Sequence, residues 1–424
     1  MDLPRGMRDM ESKDYAAIEY VRQKFIETSN LFGFQFMEPS PLELLSVIET
    51  KSGPSIKNEI YYFKDKGDRE VALRFDFTIG LTRFAVSQKS MRLPAKFSTF
   101  GGVWRYDEPQ KGRYRFFHQW DVEIYGEPNT ESDAEIIDFA SKFFSSLKLQ
   151  NITIDICDRT LVESYVKNIF KTDSPDTIGD ILRAMDKIQK KRKSEIIKEY
   201  QEKGYSPDDL EKILAFSQVK GMPQEIEKQI DTTTLKNWDK ILQLFDSLEN
   251  RKVKNVRVNF GIVRGLDYYS GIVFEIFDSS SDLGALVGGG RYDTLTRAFG
   301  RNDMGATGAA GGVERIVYSL EKQGVVNLAP SSMVWVVFVN EDMKKIAINT
   351  ASALRLKGIR TEVDLAGKPL KKQMEMASNS KYVIIIAPRE YSENLVVIRN
   401  MKDGSEKQVK LESVLNDPAA SLQF

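Results

Sequence analysis

The stretch STFGGVWRYDEPQKGRYRFFHQWDVEIYG, residues 98 to 126, predicts two strands joined by a short loop. Turn-forming residues between Glu108 and Gly112 separate the two strands. Strand side chains alternate between faces, so the second strand has one face that is largely apolar and belongs to the core. Its members are Phe116, His118, Trp120, Val122 and Ile124. The other face carries two rings, an amide and two carboxylates, from Phe117, Gln119, Asp121, Glu123 and Tyr125.

The polar faces of these two strands predict a binding surface. Arg105 and Asp107 share a face of the first strand, and Arg113 precedes the second. If the polar faces of the two strands coincide, they form the floor of a binding site, with arginines at one end and carboxylates at the other. Such a floor suits a substrate that carries both phosphates and an amine. The alternative is an exposed hairpin face with its charges in water, but Phe117 and Tyr125 on that face favour a binding surface.

The composition limits the class of protein. At roughly 150 residues per domain, 424 residues predict about three domains. The net charge is zero, so any contact with a nucleic acid has to use a local basic patch. The single cysteine, Cys157, excludes an internal disulfide and a cysteine-based zinc site, and the single histidine, His118, excludes a His-rich metal site. We predict that both residues are buried in the core.

The chain has neither the pattern of a signal peptide nor that of a membrane span. It begins MDLPRGMRDM, which lacks the apolar segment of a signal peptide. No apolar run approaches the roughly 20 residues that a membrane helix needs. We therefore expect a cytoplasmic protein.

A second candidate site lies in EVALRFDFTIGLTRFAVSQK, residues 70 to 89, where a predicted strand ends near Asp76 and a helix follows. An acid at the end of a strand could bind an ammonium group. The alternative is structural, because Thr78 could cap the helix.

Two glycine-rich segments follow. RGLDYYSG, residues 264 to 271, holds Arg264, Tyr268 and Tyr269 between two predicted strands, where glycines let the backbone pass close to a ligand. A bulge with a buried ion pair is the alternative. GGGRYDTL, residues 288 to 295, has no Lys or Ser/Thr in P-loop spacing, so close packing against a substrate is the better interpretation.

MGATGAAGGVERIVYSL, residues 304 to 320, predicts a strand of small residues followed by an amphipathic helix. An arginine at the start of a helix usually points to water. Here the preceding glycines and alanines leave room for a nucleotide, so Arg315 could stack on adenine and reach a phosphate.

The remaining regions differ in pattern. Residues 170 to 250 are rich in Lys, Glu and Gln at helical spacing, which predicts a helical insertion. A basic run there could touch RNA phosphates, although a solvated helix face is slightly favoured. The run comprises Lys187, Lys190, Lys191, Arg192 and Lys193. Beyond Pro330, strands alternate with helices, which predicts a mostly parallel sheet. A nucleotide-binding domain is the alternative, but no glycine-rich fingerprint follows its first strand.

The first stretch resembles motif 2 of the class II aminoacyl-tRNA synthetases, which reads Arg-x-Glu, loop, Arg, then an aromatic residue. The corresponding residues are Arg105, Asp107, Arg113 and Phe117. KGRYRFFHQWDVEIYG and RGLDYYSG resemble the histidyl-tRNA synthetase family in particular. GFQFMEPSPLELLSVI, residues 33 to 48, resembles motif 1, and Arg315 corresponds to the arginine of motif 3. The resemblance runs from Arg5 to Phe424.

This resemblance implies an enzyme that activates histidine with ATP and Mg²⁺ to histidyl-adenylate. The acyl group then passes to the terminal ribose of tRNA(His). The implied catalytic residues, which contact the α-phosphate, are Arg264 and Arg105. The implied ATP-binding residues are Arg105, Asp107, Arg113, Phe117 and Arg315. The implied histidine-binding residues are Asp76, Thr78, Gln119, Glu123, Arg264, Tyr268, Tyr269 and Tyr292. No protein ligand to the metal is assigned.

The resemblance also implies an α+β fold. An antiparallel class II sheet core carries a helical insertion, and a C-terminal α/β anticodon-binding domain follows. The predicted boundaries are 1–168 and 253–327 for the core, 169–252 for the insertion and 331–424 for the anticodon-binding domain. Motif 1 implies a homodimer, although an edge strand stopped by Pro39 would explain the same residues.

Two positions depart from the family pattern. Asp107 stands where motif 2 usually has Glu, so its reach to adenine is shorter. Glu108 stands where bacterial relatives carry a basic residue that helps to read the acceptor end of tRNA, while Gln110 is retained.

Two other functions compete with this one. A synthetase-like paralogue regulates the first enzyme of histidine biosynthesis, typically without the anticodon domain and with catalytic residues lost. This chain keeps Arg105, Arg264 and Arg315 as well as residues 331 to 424, which disfavours the regulator. A generic RNA-binding scaffold would leave these arginines unexplained.

Overall fold

The computed structural model describes residues 2–108, 114–188, 191–263, 269–325 and 334–423. The chain divides into two compact units, Met1–Asn327 and Leu328–Phe424. None of the described helices is long and apolar enough to cross a membrane. The bounds predicted for the four segments of the chain, 1–168, 169–252, 253–327 and 331–424, stay predictions.

The described part of the first unit contains one sheet of nine strands, in the order β1-β5-β6-β12-β11-β10-β7-β9-β8. A second sheet has the order β2-β4-β3. The strands of this unit are β1 Gln35–Phe36, β2 Leu42–Leu44, β3 Tyr62–Lys64, β4 Glu70–Leu73, β5 Ala95–Trp104, β6 Phe116–Gly126, β7 Ile152–Asp158, β8 Lys220–Gly221, β9 Val256–Asn259, β10 Ile272–Asp278, β11 Ala285–Arg291 and β12 Gly305–Gly312.

The α-helices described in this unit are α1 Ser12–Leu31, α2 Leu45–Ser52, α3 Thr78–Ser87, α4 Thr130–Ser146, α5 Arg159–Phe170, α6 Pro175–Lys187, α7 Lys193–Gln201, α8 Pro207–Phe216, α9 Pro223–Ile226, α10 Trp238–Asn250, α11 Asp293–Ala298 and α12 Val313–Lys322. Short 3₁₀ helices cover Pro54–Asn58 and Thr232–Thr234.

The large sheet is mainly antiparallel, as predicted. Among the described pairings only β1 with β5 and β7 with β9 run parallel. The first-quoted stretch forms the β5–β6 pair, in which Gly101 lies opposite Gln119. The pair is shorter than the pattern predicted, since β5 ends at Trp104 and Arg105 and Asp107 follow it.

Trp120, Val122 and Ile124 of β6 pack into the core of the first unit, as the alternation predicted, whereas Phe116 and His118 on the same face are only partly buried, so the prediction of a buried His118 was wrong. Trp120 lies 5.6 Å from Phe25 of α1 and 5.3 Å from Phe143 of α4, measured between ring centroids. Cys157 of β7 is fully buried in the same core. Burial raises the pKa of its thiol, so the thiol stays protonated. Both helices therefore cover the side of β6 that faces away from the polar residues.

The lysine-rich region is helical, from α5 to α10, and it adds β8 to the edge of the sheet beside β9. Lys187 and Lys191 both form ion pairs with Glu199 of α7. Lys193 lies 4.0 Å from Glu211 of α8, so three of the four described residues of the basic run are matched by a carboxylate within the same region; Lys190 lies outside the described residues.

The second unit has one described sheet in the order β14-β13-β15-β16-β17. Its elements are β13 Val334–Phe338, α13 Glu341–Leu356, β14 Thr361–Val363, α14 Leu370–Met376, β15 Tyr382–Ile386, α15 Pro388–Ser392, β16 Leu395–Asn400, β17 Glu406–Lys410, α16 Leu411–Asn416 and α17 Pro418–Ser421, with a 3₁₀ helix at Ala377–Asn379.

The prediction of a mostly parallel sheet in the second unit was wrong. Strands β14, β13 and β15 are parallel, but β16 and β17 pair antiparallel. Strand β17 escaped prediction because its sequence, EKQVK, has one apolar residue and shows no alternation of apolar and polar side chains.

Candidate active site

A cavity of about 430 Å³ opens on the polar face of the large sheet. Strand β6, the glycine-rich strands β11 and β12, and the first residues of α3 and α12 contribute to its walls. Eight of the predicted site residues line it, namely Asp76, Thr78, Arg105, Asp107, Phe117, Gln119, Tyr269 and Arg315. The fold therefore gathers around one cavity residues that are up to 239 positions apart in the chain.

Arg105 is held by contacts on two sides. Its Nε donates to the carbonyl oxygen of Phe75 at 2.9 Å, and its Nη2 donates to Gln119 Oε1 at 3.3 Å. The guanidinium carbon lies 5.2 Å from the centre of the Phe117 ring, within cation–π distance. These contacts place a permanent positive charge on the cavity wall beside an aromatic face.

Asp76 and Thr78 lie where the chain enters α3. The suggested capping role of Thr78 was wrong, because α3 begins at Thr78 itself and Phe77 is the N-cap residue. The hydroxyl of Thr78 instead donates to Asp121 Oδ2 on β6, at 3.2 Å. Asp76 Oδ1 accepts the N–H of Ile79 at 3.3 Å. Both side chains still line the cavity.

Glu123 and Tyr292 lie behind the described cavity wall, with 1% and 2% of their surfaces exposed. Gly308 of β12 pairs directly with Glu123, and a Cβ atom at position 308 would fall 1.5 Å from Glu123 Oε2. A glycine is therefore required there to leave space for the carboxylate. Arg257 of β9 binds Asp155, with contacts of 2.6 and 3.1 Å.

Asp121 is a buried carboxyl on the polar face of β6, and it was not among the predicted site residues. Its side chain is completely buried. Burial, followed by the negative charge of Glu123, raises the pKa of Asp121 well above its usual range. Its position two residues from both Gln119 and Glu123 was the signal that could have identified it.

Helix α12 contributes Glu314 and Arg315 to the cavity wall. Arg315 Nη1 donates to the carbonyl oxygen of Ala285 at 2.7 Å, which links the helix to β11. Glu314 accepts the backbone N–H of His118. The lining residues Tyr114, Glu275 and Glu314 were not predicted as site residues; for Glu314, its place beside Arg315 was an available signal.

Three predicted site residues, Arg113, Arg264 and Tyr268, lie outside the described residues. Gln110 of the loop also lies outside them. Tyr269 is described and lines the cavity. Among the residues with departures from the family pattern, Asp107 lines the cavity, and Glu108 forms an exposed ion pair of 2.9 Å with Arg5.

The cavity is chemically divided. Arg105 and Arg315 supply permanent positive charge for phosphates, and Phe117 supplies an aromatic face. Asp76, Gln119 and Thr78 supply oxygen acceptors for an ammonium group. A molecule that combines phosphates, a flat ring and an amino acid would find a matching group in each part.

Comparisons with known proteins agree with this chemistry. Residues 6–316 match the family described as histidyl-tRNA synthetase, and residues 333–417 match an anticodon binding domain. A histidine–tRNA ligase of Pyrococcus furiosus is 35% identical over 424 residues, which cover 97% of each chain.

Two solved structures share the fold. The histidyl-tRNA synthetase of Nostoc sp. PCC 7120 is 21% identical with a TM-score of 0.84, covering 99% of this chain and 98% of that one. A Bacillus halodurans protein described as an ATP phosphoribosyltransferase regulatory subunit/histidyl-tRNA synthetase is 22% identical with a TM-score of 0.76, covering 91% and 98%. Because the family match spans most of the chain and the Pyrococcus furiosus relative is similar over nearly its full length, this chain belongs to the histidyl-tRNA synthetase family.

Proposed function

We propose that this chain is a histidine–tRNA ligase whose active site is the cavity on the large sheet. The observation that best supports this function is that one cavity, in a chain of this family, is lined by Arg105, Arg315, Asp76 and Thr78. The enzyme forms histidyl-adenylate from histidine and ATP and transfers the acyl group to the 3′-terminal ribose of tRNA(His).

The first step is attack of the histidine carboxylate on the α-phosphate, with pyrophosphate as the leaving group. Such a transfer depends on positioning and on positive charge at the phosphorus centre. Arg105 and Arg264 are proposed to contact the α-phosphate. The two anchors of the Arg105 side chain support this role, since a preorganised donor does not have to reorient during the reaction.

The nucleotide is proposed to lie between Phe117 and Arg315, which both line the cavity. Arg315 and Arg113 are assigned to the γ-phosphate, and Asp107 to the adenine amino group. The anchoring of Arg315 on Ala285 is compatible with a fixed platform for a ring.

Histidine is proposed to bind at the acidic end of the cavity. Asp76, Thr78 and Gln119 hold its ammonium group. Glu123 accepts a hydrogen bond from the ring N–H, and the Tyr269 hydroxyl donates one to the other ring nitrogen. Tyr268 and Tyr292 complete this part of the site, Tyr292 from behind the wall.

Mg²⁺ is proposed to enter with ATP. The described residues contain no group of three or more potential ligands that could hold a metal. Glu275 and Glu314 line the cavity, and Mg²⁺ is commonly held by one or two carboxylates together with substrate phosphates. Glu275 would hold the ion together with the phosphates, with Glu314 as a further ligand only through lone pairs not used by the His118 N–H, and the ion would neutralise phosphate charge during the reaction.

Recognition of tRNA is assigned to two regions. Residues 331–424 are proposed to read the anticodon, in agreement with the family match. Residues 169–252 are proposed as an insertion domain between the two parts of the catalytic core, 1–168 and 253–327.

We further propose a cytoplasmic homodimer. Large apolar side chains of β1, β2 and β3 are exposed in the single chain and would be covered by a second copy. They are Phe36, Leu42, Leu44, Tyr62 and Phe63. Light scattering of the purified protein measures the oligomeric state directly.

Histidine-dependent exchange of pyrophosphate into ATP tests the proposed reaction, with Arg264→Ala as the inactive comparison. We expect exchange with histidine and none with the other amino acids. Exchange-inactive but folded protein would favour the second candidate, a regulator of histidine biosynthesis; the fold is shared with the Bacillus halodurans protein whose description includes such a regulator.

A further inference from the structure

The two oxygens of Asp121 have different surroundings. Oδ2 accepts a hydrogen bond from the Thr78 hydroxyl at 3.2 Å. Oδ1 is buried and receives no hydrogen bond from a donor group of the described residues. An ionised carboxylate with one bare buried oxygen is costly, whereas a protonated one has an O–H that can be donated.

Among the residues that the structure describes, the titratable groups near Asp121 are the carboxyls of Glu123 and Asp76 and the phenols of Tyr125 and Tyr292, and none of them carries a positive charge. Glu123 lies two residues along the same face, within hydrogen-bonding reach, and Asp76 lies two residues before α3. Thr99 and Ala310 are its partners on the flanking strands β5 and β12. Two buried carboxyl groups this close together are stable when they share one proton. The raised pKa of Asp121 agrees with such sharing.

We propose that Asp121 is a positioning residue that holds this proton and links the two ends of the histidine site. As a neutral acid it accepts a hydrogen bond from the Thr78 hydroxyl through Oδ2 and donates a hydrogen bond from its Oδ1–H to Glu123. The proposal rests on the ligand-binding roles given above to Thr78 and Glu123.

This arrangement sets the polarity at both ends of the substrate. The single proton of Thr78 points to Asp121, so the Thr78 oxygen presents only lone pairs to the cavity. An ammonium group, which only donates, is the matching ligand. Glu123 remains ionised, so it accepts the N–H of a neutral imidazole ring.

Two substitutions of Asp121 distinguish the effect of its proton from the effect of its side-chain shape. Asp121→Asn keeps an acceptor for Thr78 and a donor for Glu123 at every pH, as a protonated acid does. Asp121→Leu keeps similar size and removes both hydrogen bonds. We expect Asp121→Leu to raise the KM for histidine roughly 10-fold or more, with the KM for ATP within about twofold. Asp121→Asn should stay within about threefold of the parent for both substrates at pH 6.

The pH profile gives a second readout. As pH rises, the parent loses the Asp121 proton, so its histidine KM should rise relative to that of Asp121→Asn. The ratio of the two KM values at each pH cancels the titration of histidine itself. Because the folded-state pKa is raised above that of the unfolded chain, the parent also loses stability as pH increases from about 4. Asp121→Asn should remove that loss, while Asp138→Asn, at another buried acid, should leave the histidine profile unchanged.

The experiment is pyrophosphate exchange against histidine and ATP concentration from pH 6 to 9, with a melting curve for each variant. If Asp121→Asn raises the histidine KM at pH 6 by roughly 10-fold or more, or its KM ratio to the parent stays constant with pH, the shared-proton proposal is overturned. If Asp121→Leu does not fold, the Asp121→Asn profile decides. Absence of exchange in the parent would instead overturn the proposed function.

Discussion

Glu314 accepts the backbone N–H of His118 with both carboxylate oxygens, at 2.9 and 3.0 Å, and its Oε1 lies 3.2 Å from the ring Nδ1. The contact joins α12 to β6 across 196 positions of sequence. Arg315 is the next residue of α12, so the same contact determines where the guanidinium meets the cavity.

We predict that Glu314→Ala destabilises the protein by about 1–3 kcal/mol, because the N–H of His118 is left without an acceptor. His118→Phe keeps that N–H and should cost less. Urea unfolding of both variants measures the difference. A larger loss for His118→Phe would mean that the ring, and not the main chain, is the important partner of Glu314.

Arg105→Ala should slow adenylate formation by roughly 100- to 1,000-fold, the usual effect of removing one preorganised donor at a developing charge. The measurement is the pyrophosphate exchange rate at saturating substrates. Arg74→Lys is the control, since Arg74 is a buried arginine that binds Glu38 and main-chain carbonyls and does not line the cavity. It should lower the melting temperature but leave exchange by the folded protein intact. Equal exchange rates for Arg105→Ala and the parent would remove Arg105 from the mechanism.

Glu123→Ala should raise the histidine requirement sharply and relax discrimination against other amino acids, with ATP affinity little changed. A buried polar site rejects analogues without matching groups by roughly 10,000-fold, because its own groups would be left unpaired. Exchange measured against histidine concentration, together with a melting curve, checks this. Arg257 is bound to Asp155, so an altered histidine dependence of Glu123→Ala would not result from the loss of an ion pair between Glu123 and Arg257. A stable variant with an unaltered histidine dependence would contradict the assignment.

A chain that ends near residue 330 should still form histidyl-adenylate and lose most tRNA charging. The described site residues all belong to the first unit, which ends at Asn327. Exchange and charging assays on the same preparation test the two activities separately. Full charging by the truncated chain would show that residues 331–424 do not read the anticodon.

Local pattern was enough to predict the strand pair at the centre of the site. The alternation from Phe116 to Tyr125 assigned Trp120 to the core and Gln119 to the cavity, because adjacent side chains on a strand must point to opposite faces. Motif order predicted the family and the α+β fold, and both are confirmed. Strand β17 was missed, since its polar sequence has no such period.

The tertiary structure decided which of these residues meet. Thr78 binds Asp121, which is 43 positions away, and Glu314 binds His118. Neither contact could be predicted from the spacing of the residues in the sequence. Gly308 was recognisable as a small residue, but only the register of β12 against β6 shows that it makes room for Glu123. Sequence determines which face a side chain occupies because that depends on the residue's own backbone. Its partner depends on the register and packing of distant elements, which form only when the whole unit folds.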